Sequence, residues 1–199
     1  QVMRLLVVFS HPSLDSYGAA LYETACRTLS AAGHELRCHD LYREEFNPVL
    51  STKEWTGYLD KTDEIIAKHP DHVEDLLWAE GIVVIYPTWY FGPPAMLKGW
   101  LERVWLPGVT FEIADGKKRR TKPKMSHIKL FVCITTSRSP CWWIKLLRDP
   151  GRSLWPRALR VLYAPRCKVV WQQIYDMNHS TDADRAAFLK KVERRLASL

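Results

Sequence analysis

Three successive aromatic residues, Trp89, Tyr90 and Phe91, lie between the prolines of residues 86–94. Because proline fixes φ, a stiff turn should hold these side chains near the end of the preceding apolar strand. Three neighbours cannot all point into a core, so at least one should border a cleft. A planar apolar wall with backbone donors is the setting that an isoalloxazine ring requires, although a packed cap on the sheet is the alternative. The candidate cofactor-binding residues here are Pro87, Thr88, Trp89, Tyr90 and Phe91.

A second candidate segment, residues 10–18, places hydroxyl side chains just before a predicted helix. Backbone amides and the helix dipole at such a terminus favour an anion, for example a phosphate. The segment has neither the G-x-G-x-x-G pattern nor a P-loop, so neither type of nucleotide fingerprint is indicated. Ser16 could also be an ordinary N-cap, and His11 a hydrogen-bonded structural residue. The candidates in this segment are His11, Ser16, Tyr17 and Gly18.

A third segment, residues 135–143, again sets hydroxyls directly after an apolar strand. Thr135, Thr136 and Ser137 could line the edge of the same ring. Other chemistries have less support, since the His and Cys residues show no metal-ligand spacing and no G-x-S-x-G elbow is present. No metal is therefore expected.

Apolar strand-like runs alternate with helical stretches along the whole chain. This alternation predicts an α/β fold: a flavodoxin-like, doubly wound, five-stranded parallel sheet of order 2-1-3-4-5 with helices on both faces, in a single domain over residues 1–199. Ligands of such sheets bind beyond the carboxyl ends of the strands. The three candidate segments should therefore meet at one edge. The predicted strands cover residues 5–9, 35–39, 81–86, 128–135 and 167–174, and the main helices residues 17–32, 70–79, 95–105 and 181–199.

The composition is that of an ordinary globular protein, with 199 residues, 47% hydrophobic and 26% charged. The net charge of +7 comes without a clean basic helical stripe, so nucleic-acid binding is not favoured. Five scattered cysteines, no apolar run of about 20 residues and no signal-peptide pattern predict a cytoplasmic protein that does not span a membrane. The basic run at residues 117–124 is best explained as a solvated loop, with contact to the extra phosphate of NADPH as the alternative.

Residues 86–105, YPTWYFGPPAMLKGWLERVW, resemble a dense segment of the flavodoxin-like NAD(P)H:quinone reductases, of the DT-diaphorase type and its shorter bacterial relatives. Further matches extend the resemblance over nearly the whole chain. They are Ser10-His11, Ser16-Tyr17-Gly18, Asp40-Leu-Tyr42, Phe46-Asn-Pro48, Ile134-Thr-Thr136 and Tyr175 with Ala183-Asp-Arg185.

The resemblance implies a flavin at the carboxyl edge of the sheet and ping-pong hydride transfer from NADPH or NADH to a quinone-like acceptor. The phosphate region would lie at residues 11–18, the ring would be framed by residues 88–91, and Thr135 and Thr136 would close its other side. FAD is favoured over FMN, because Met177, Arg185 and Leu189 fall where the FAD-using branch contacts adenine. A homodimer is also implied.

Two departures from the family pattern concern charge stabilisation. Where the larger family members have a Gly-Gly pair after the two threonines, this chain has Ser137-Arg138. Those relatives also use a Tyr and a His to stabilise the reduced flavin. Here Trp143 lies near the Tyr position, and no His follows it. Arg138, Lys145 or Arg148 could supply positive charge to the reduced flavin instead. Two other functions remain open: a flavin-binding ancillary subunit that regulates a membrane transporter, and a flavodoxin-like electron carrier.

Overall fold

Five parallel strands form the central sheet in the computed structural model, which describes residues 2–113 and 121–199. The strand order is β2-β1-β3-β6-β7, which confirms the predicted topology. The two-residue strands β4 and β5 form a separate antiparallel pair that the sequence did not predict. The strands are β1 (Arg4–Phe9), β2 (Glu35–Asp40), β3 (Gly81–Pro87), β4 (Phe111–Glu112), β5 (Lys122–Pro123), β6 (Leu130–Thr136) and β7 (Lys168–Ile174).

The central strand β3 is buried along its whole length, and β6 is buried except at its last residue. Their continuous apolar runs suit strands that are covered on both faces. The register pairs Tyr86 with Thr135 and Pro87 with Thr136, so both strands end at the same height. Edge strand β2 alternates less clearly and carries polar residues. The carboxyl ends of the inner strands therefore form one continuous edge.

Helices cover both faces of the sheet. On one face α1 and α8 pack through Leu21, Ala25, Phe188 and Val192, and on the other α4 and α5 pack through Leu76 and Trp100. This arrangement confirms the doubly wound prediction. None of the helices in the described residues is long and apolar enough to cross a bilayer. The helices are α1 (Tyr17–Ala31), α2 (Thr52–Thr56), α3 (Thr62–Ile66), α4 (Pro70–Trp78), α5 (Ala95–Val104), α6 (Cys141–Leu146), α7 (Pro150–Ser153) and α8 (Asp182–Ala197).

The helical stretch between β6 and β7 is broken into short pieces. After α6 the chain turns at Arg148 and Asp149, whose φ angles are +60° and +45°. A short helix, a π turn (Leu154–Ala158) and a 3-10 turn (Leu159–Leu162) follow. Proline lacks an amide donor and so favours such interruptions.

Helix α5 is fixed against the segment before α2. Arg103 is buried and donates hydrogen bonds to the Asn47 carbonyl and to the buried Glu54 carboxylate. Burial raises the pKa of Glu54, but hydrogen bonds from Ser51 and Arg103 outweigh it and lower that pKa to about 2. A Cβ on Gly99 would lie 2.2 Å from the Pro48 carbonyl oxygen, so only glycine permits this approach. The helix that follows the aromatic segment is therefore held rigidly.

Candidate functional site

The second and third candidate segments are joined where β3 and β6 end. The Thr88 amide donates a 2.8 Å hydrogen bond to the Thr136 carbonyl, and the hydroxyls of Thr88 and Thr135 lie 2.8 Å apart. The Ser10 amide continues the pairing on the other side by donating to the Ile85 carbonyl over 3.0 Å. The structure thus brings all three segments together at the carboxyl edge of the sheet.

The aromatic segment forms a tight turn that exposes its side chains. Trp89 and Gly92 exchange two 3.0 Å backbone hydrogen bonds across it. The two residues between them have positive φ, +46° at Tyr90 and +67° at Phe91, which bulky side chains rarely adopt. Each such conformation costs about 1–3 kcal/mol and persists only where the surroundings enforce it. Tyr90 is wholly exposed and Trp89 is 44% exposed, so the turn presents aromatic surface to solvent.

An open cleft of about 560 Å³ lies between this turn and the third segment. Its volume is within the range of about 300–1,000 Å³ that small-molecule sites occupy. One wall is aromatic, and the other consists of short polar side chains and one cation. The lining residues are Thr88, Trp89, Tyr90, Phe91, Ser137, Arg138 and Ser139.

The first segment borders the aromatic turn through His11, whose ring centroid lies 6.4 Å from that of Trp89. The Ser13 amide donates to Nδ1 of His11 over 3.0 Å. Nδ1 also lies 3.1 Å from the Ser13 carbonyl oxygen, so Ser13 engages Nδ1 in either tautomer, and none of the described residues forms a hydrogen bond with Nε2. Ser16 caps α1 by accepting from the Ala19 amide over 3.1 Å, as its N-cap alternative predicted.

Two features suit an anion at the first segment. A Cβ on Gly18 would lie 3.4 Å from the His11 ring, so the glycine leaves room beside that ring. The Ser10 side chain is fully buried, and its Oγ has no hydrogen-bond partner within residues 2–113 and 121–199. Buried hydroxyls are normally satisfied, so this oxygen is available to a ligand group. The sequence placed Ser10 at the strand end but did not single it out.

Tyr17 and Arg185 join α1 to α8. The Tyr17 hydroxyl donates to the Arg185 carbonyl over 2.7 Å, and burial raises the pKa of Tyr17 to about 12 although the charge of Arg185 lowers it. The Arg185 guanidinium donates to the Ser180 hydroxyl and carbonyl at 3.1 and 3.0 Å. Leu189 packs against the core beneath α8. These side chains form structural contacts beside the first segment.

The third segment is anchored to the chain after β7. The Ser137 amide donates to the Ile174 carbonyl at 2.9 Å, and the Met177 amide donates to the Ser137 carbonyl at 3.0 Å. The Ser137 hydroxyl also accepts from the Ser139 amide at 3.2 Å. Ser137 therefore organises this wall of the cleft through its backbone and its side chain.

The basic residues that the sequence suggested as stabilisers of the reduced flavin lie in two different clefts. Arg138 lines the aromatic cleft, whereas Lys145 and Arg148 line a second cleft of about 650 Å³ with Tyr175. Trp143 packs edge-on against Trp142, with ring centroids 5.4 Å apart. The second cleft contains two further cations that sequence reasoning missed, Arg152 and Arg157.

Part of the basic run that follows α5 can be located. Lys124 donates to the Gly108 carbonyl over 2.6 Å, and Lys122 lies 4.0 Å from the Glu112 carboxylate. Residues 117–120, considered for contact with NADPH, lie outside the described residues.

Comparison with known proteins agrees with this geometry. A family model described as "Flavodoxin-like fold" matches residues 3–144, and the chain belongs to that family. It is 28% identical to the NAD(P)H dehydrogenase [quinone] 1 of Rattus norvegicus over 216 residues, which cover 100% of this chain and 78% of the relative.

Solved structures show the same fold. Smu.1420 from Streptococcus mutans UA159 superposes with a TM-score of 0.85 at 25% identity, covering 99% of this chain and 100% of that protein. The NAD(P)H:quinone oxidoreductase from Methanothermobacter marburgensis gives a TM-score of 0.80 at 23% identity, with 100% and 97% covered. The fold and the family resemblance predicted from the sequence are confirmed.

Proposed function

We propose that the chain is a flavin-dependent oxidoreductase that uses NAD(P)H to reduce quinones or similar acceptors. The observation that carries this proposal is the strained turn at Tyr90 and Phe91, which presents an aromatic wall to a cleft at the carboxyl edge of a flavodoxin-like sheet. Backbone strain of this kind is retained where it serves a site. The similarity of this whole chain to 78% of an NAD(P)H dehydrogenase [quinone] supports the same reaction class.

The residues at this edge fit a flavin. His11 offers its free Nε2, and Ser10 offers a buried hydroxyl without a partner among the described residues, near the start of α1, where amides and the helix dipole favour phosphate. Trp89, Tyr90 and Phe91 offer an aromatic wall in the cleft that Ser137 also lines. FAD remains our preferred form. When bound, a flavin supplies the hydride chemistry that amino-acid side chains lack.

The protein's own contribution is positioning and electrostatics. The paired hydroxyls of Thr88 and Thr135 fix the distance between the two walls of the cleft. Arg138 is exposed in that cleft, where its charge would favour the anionic form of a reduced ring. Because donor and acceptor would have to share one cleft, we expect them to bind alternately.

A second copy of the chain is a further part of the proposal. Trp142 and Leu146 are each 65% exposed and Tyr90 is fully exposed, which leaves apolar surface near the site. A homodimer would cover such surface. Sedimentation equilibrium at several concentrations tests this part separately.

The decisive experiment is the absorbance spectrum of the purified protein, with the released cofactor identified by chromatography. We expect a flavin spectrum, release of FAD, and NADPH or NADH oxidation with menadione showing parallel double-reciprocal lines. A Thr88→Val/Thr135→Val double variant should lower flavin affinity more than Thr110→Val, which removes another buried hydroxyl that does not line the cleft. A colourless protein that neither FAD nor FMN reconstitutes would overturn the proposal.

A further inference from the structure

Apart from the basic run at residues 117–124, one longer segment of the chain is rich in positive charge. Residues 138–168 contain eight Lys or Arg side chains and a single carboxylate, Asp149, so the segment has a local net charge of +7. The charges of the remaining sequence sum to zero, because acidic residues elsewhere offset the basic run at residues 117–124. All eight cations are exposed. Such a concentration attracts anions locally rather than over the whole surface.

Four of these cations converge on the second cleft. Lys145, Arg148, Arg152 and Arg157 line its volume of about 650 Å³ together with Asp149 and Tyr175. Within the part of the chain that the structure describes, only Arg152 of the four has a carboxylate within 4.0 Å. The cleft therefore carries a surplus of positive charge and is large enough for part of a small-molecule ligand.

The cleft is held in shape by its one acidic residue. Asp149 accepts from the Arg152 amide at 3.2 Å and pairs with the Arg152 Nε at 3.1 Å. The guanidinium carbon of Arg152 lies 5.2 Å from the ring centroid of Trp171, which orients it further. The Asp149 carboxylate is therefore engaged with Arg152, and it forms no ion pair with the other three cations.

Backbone strain marks the same place. Arg148 and Asp149 are consecutive residues with φ of +60° and +45°. The Ser153 hydroxyl donates to the Arg148 carbonyl over 3.1 Å and holds the turn in place. Paired left-handed residues are unfavourable for side chains of this kind and are retained where a particular placement is needed. Here the strained turn places Arg148 at the cleft.

The cleft adjoins the proposed reaction site. Tyr175 follows directly after β7, whose last residue, Ile174, accepts the Ser137 amide hydrogen bond. Ser139, in the wall of the aromatic cleft, accepts from the Asp176 amide at 3.1 Å. A substrate in the aromatic cleft could therefore extend an anionic group toward these cations.

We propose that the second cleft binds a phosphate or sulfonate group carried by a substrate, and so selects anionic substrates. This inference rests on the proposed function for the identity of the substrate. Arginine is suited to such groups because its planar guanidinium forms paired hydrogen bonds with their oxygens. The group could belong to the nucleotide donor, as the extra phosphate of NADPH, or to the acceptor.

Equilibrium binding tests the inference without turnover. Isothermal titration of the flavin-loaded protein would compare NADP⁺ with NAD⁺, and anthraquinone-2,6-disulfonate with menadione. The matched variants are Arg157→Gln and Arg148→Asn inside the cleft and Arg166→Gln outside it; asparagine tolerates positive φ at position 148. We expect the cleft variants to weaken one probe that carries the phosphate or sulfonate about tenfold, as for loss of one charged hydrogen bond. The counterpart that lacks this group, NAD⁺ or menadione, should bind with unchanged affinity, and Arg166→Gln should leave the affinity for all four probes unchanged.

A shift confined to NADP⁺ assigns the group to the donor, and a shift confined to the disulfonate assigns it to the acceptor. Unchanged affinity for both anionic probes in both cleft variants would overturn the inference. If the protein binds these anions through the cleft but never oxidises NAD(P)H, the proposed function fails while the anion site stands.

Discussion

The indole N–H of Trp100 donates a 3.1 Å hydrogen bond to Nδ1 of His72, in the core between α5 and α4. Since an indole nitrogen can only donate, Nδ1 of His72 must be unprotonated, and its ring proton must be on Nε2. That proton faces the Glu44 carboxylate over 3.3 Å. One buried hydrogen bond therefore sets the tautomer of His72.

The tautomer of His72 bears on whether the side-chain cluster around it could bind a metal ion. His39, Glu44 and His72 offer ligand atoms within 4.8 Å of one another, a grouping that the sequence did not predict. A metal at Nε2 of His72 would need the proton on Nδ1, where Trp100 already donates. The two histidine rings stack with centroids 3.9 Å apart. The cluster is best explained as a hydrogen-bond network that joins the end of β2 to α4 and α5.

Replacing Trp100 with phenylalanine removes the donor and leaves Nδ1 of His72 buried without a partner. We expect Trp100→Phe to lower the free energy of unfolding by about 1–3 kcal/mol beyond the loss of ring volume. Trp105→Phe is the matched control, because the Trp105 indole nitrogen is buried with no partner among the described residues. Urea unfolding of both variants gives the comparison. Equal losses would show that the Trp100 hydrogen bond contributes nothing.

His39 gives the cluster a defined pH dependence. Its Nδ1 lies 3.0 Å from Glu44 and its Nε2 lies 2.8 Å from Asp75, so both ring nitrogens face carboxylates. Burial lowers the pKa of His39, but the hydrogen bonds and charges of Glu44 and Asp75 outweigh it, and the pKa is raised. The protonated ring therefore stabilises the folded state fully below the unfolded pKa of about 6.5, and this stabilisation is lost as pH rises through the folded pKa.

We expect the stability difference between the wild type and His39→Gln to be largest near about pH 6 and to shrink as pH rises above the folded pKa. The stacked His72, which also contacts Glu44, and Arg37, which pairs with Asp75 at 2.6 Å, face the same group and remain in both proteins. His179→Gln is the control, since that side chain is 80% exposed. Urea titrations at several pH values measure the difference, and a difference independent of pH contradicts the assignment.

The strand order and the three loops were predictable because they depend on local patterns. Buried parallel strands appear as unbroken apolar runs, as in β3, and the rule that ligands lie beyond the carboxyl ends placed the loops. The dense segment at residues 86–105 proved to have two parts. Its first half forms the cleft wall, whereas Gly99 and Arg103 in its second half hold α5 against residues 47–54.

Other features depend on contacts between distant segments and leave no local signal. His39 and His72 are 33 positions apart and meet only because β2 and α4 pack together. The anionic selectivity proposed for the second cleft depends on a turn at Arg148 whose positive φ is not encoded by glycine or asparagine. The concentration of charge in residues 138–168 was visible in the sequence, and a count by segment would have indicated it.

At Gly99, tertiary packing and helix propensity predict opposite effects of an alanine substitution on stability. In an exposed helix, glycine to alanine stabilises by about 1 kcal/mol. At Gly99 the new Cβ would meet the Pro48 backbone at 2.2 Å, so we expect Gly99→Ala to destabilise by about 1–3 kcal/mol or more. Gly18→Ala is the control, since its nearest neighbour would lie at 3.4 Å. Thermal unfolding of both variants checks the sign, and a stabilised Gly99→Ala would refute the packing argument.

The turn at Tyr90 should show stability and function changing in opposite directions. Tyr90 is fully exposed with φ of +46°, so its side chain contributes strain without compensating burial. Asparagine tolerates this conformation, and we expect Tyr90→Asn to raise the free energy of unfolding by about 0.5–1 kcal/mol. The same change removes part of the aromatic wall, so flavin affinity and menadione reduction should fall. Tyr90→Phe keeps the ring and the strain, and should match the wild type in both measurements. A Tyr90→Asn protein with unchanged flavin affinity and turnover would show that this side chain takes no part in the site.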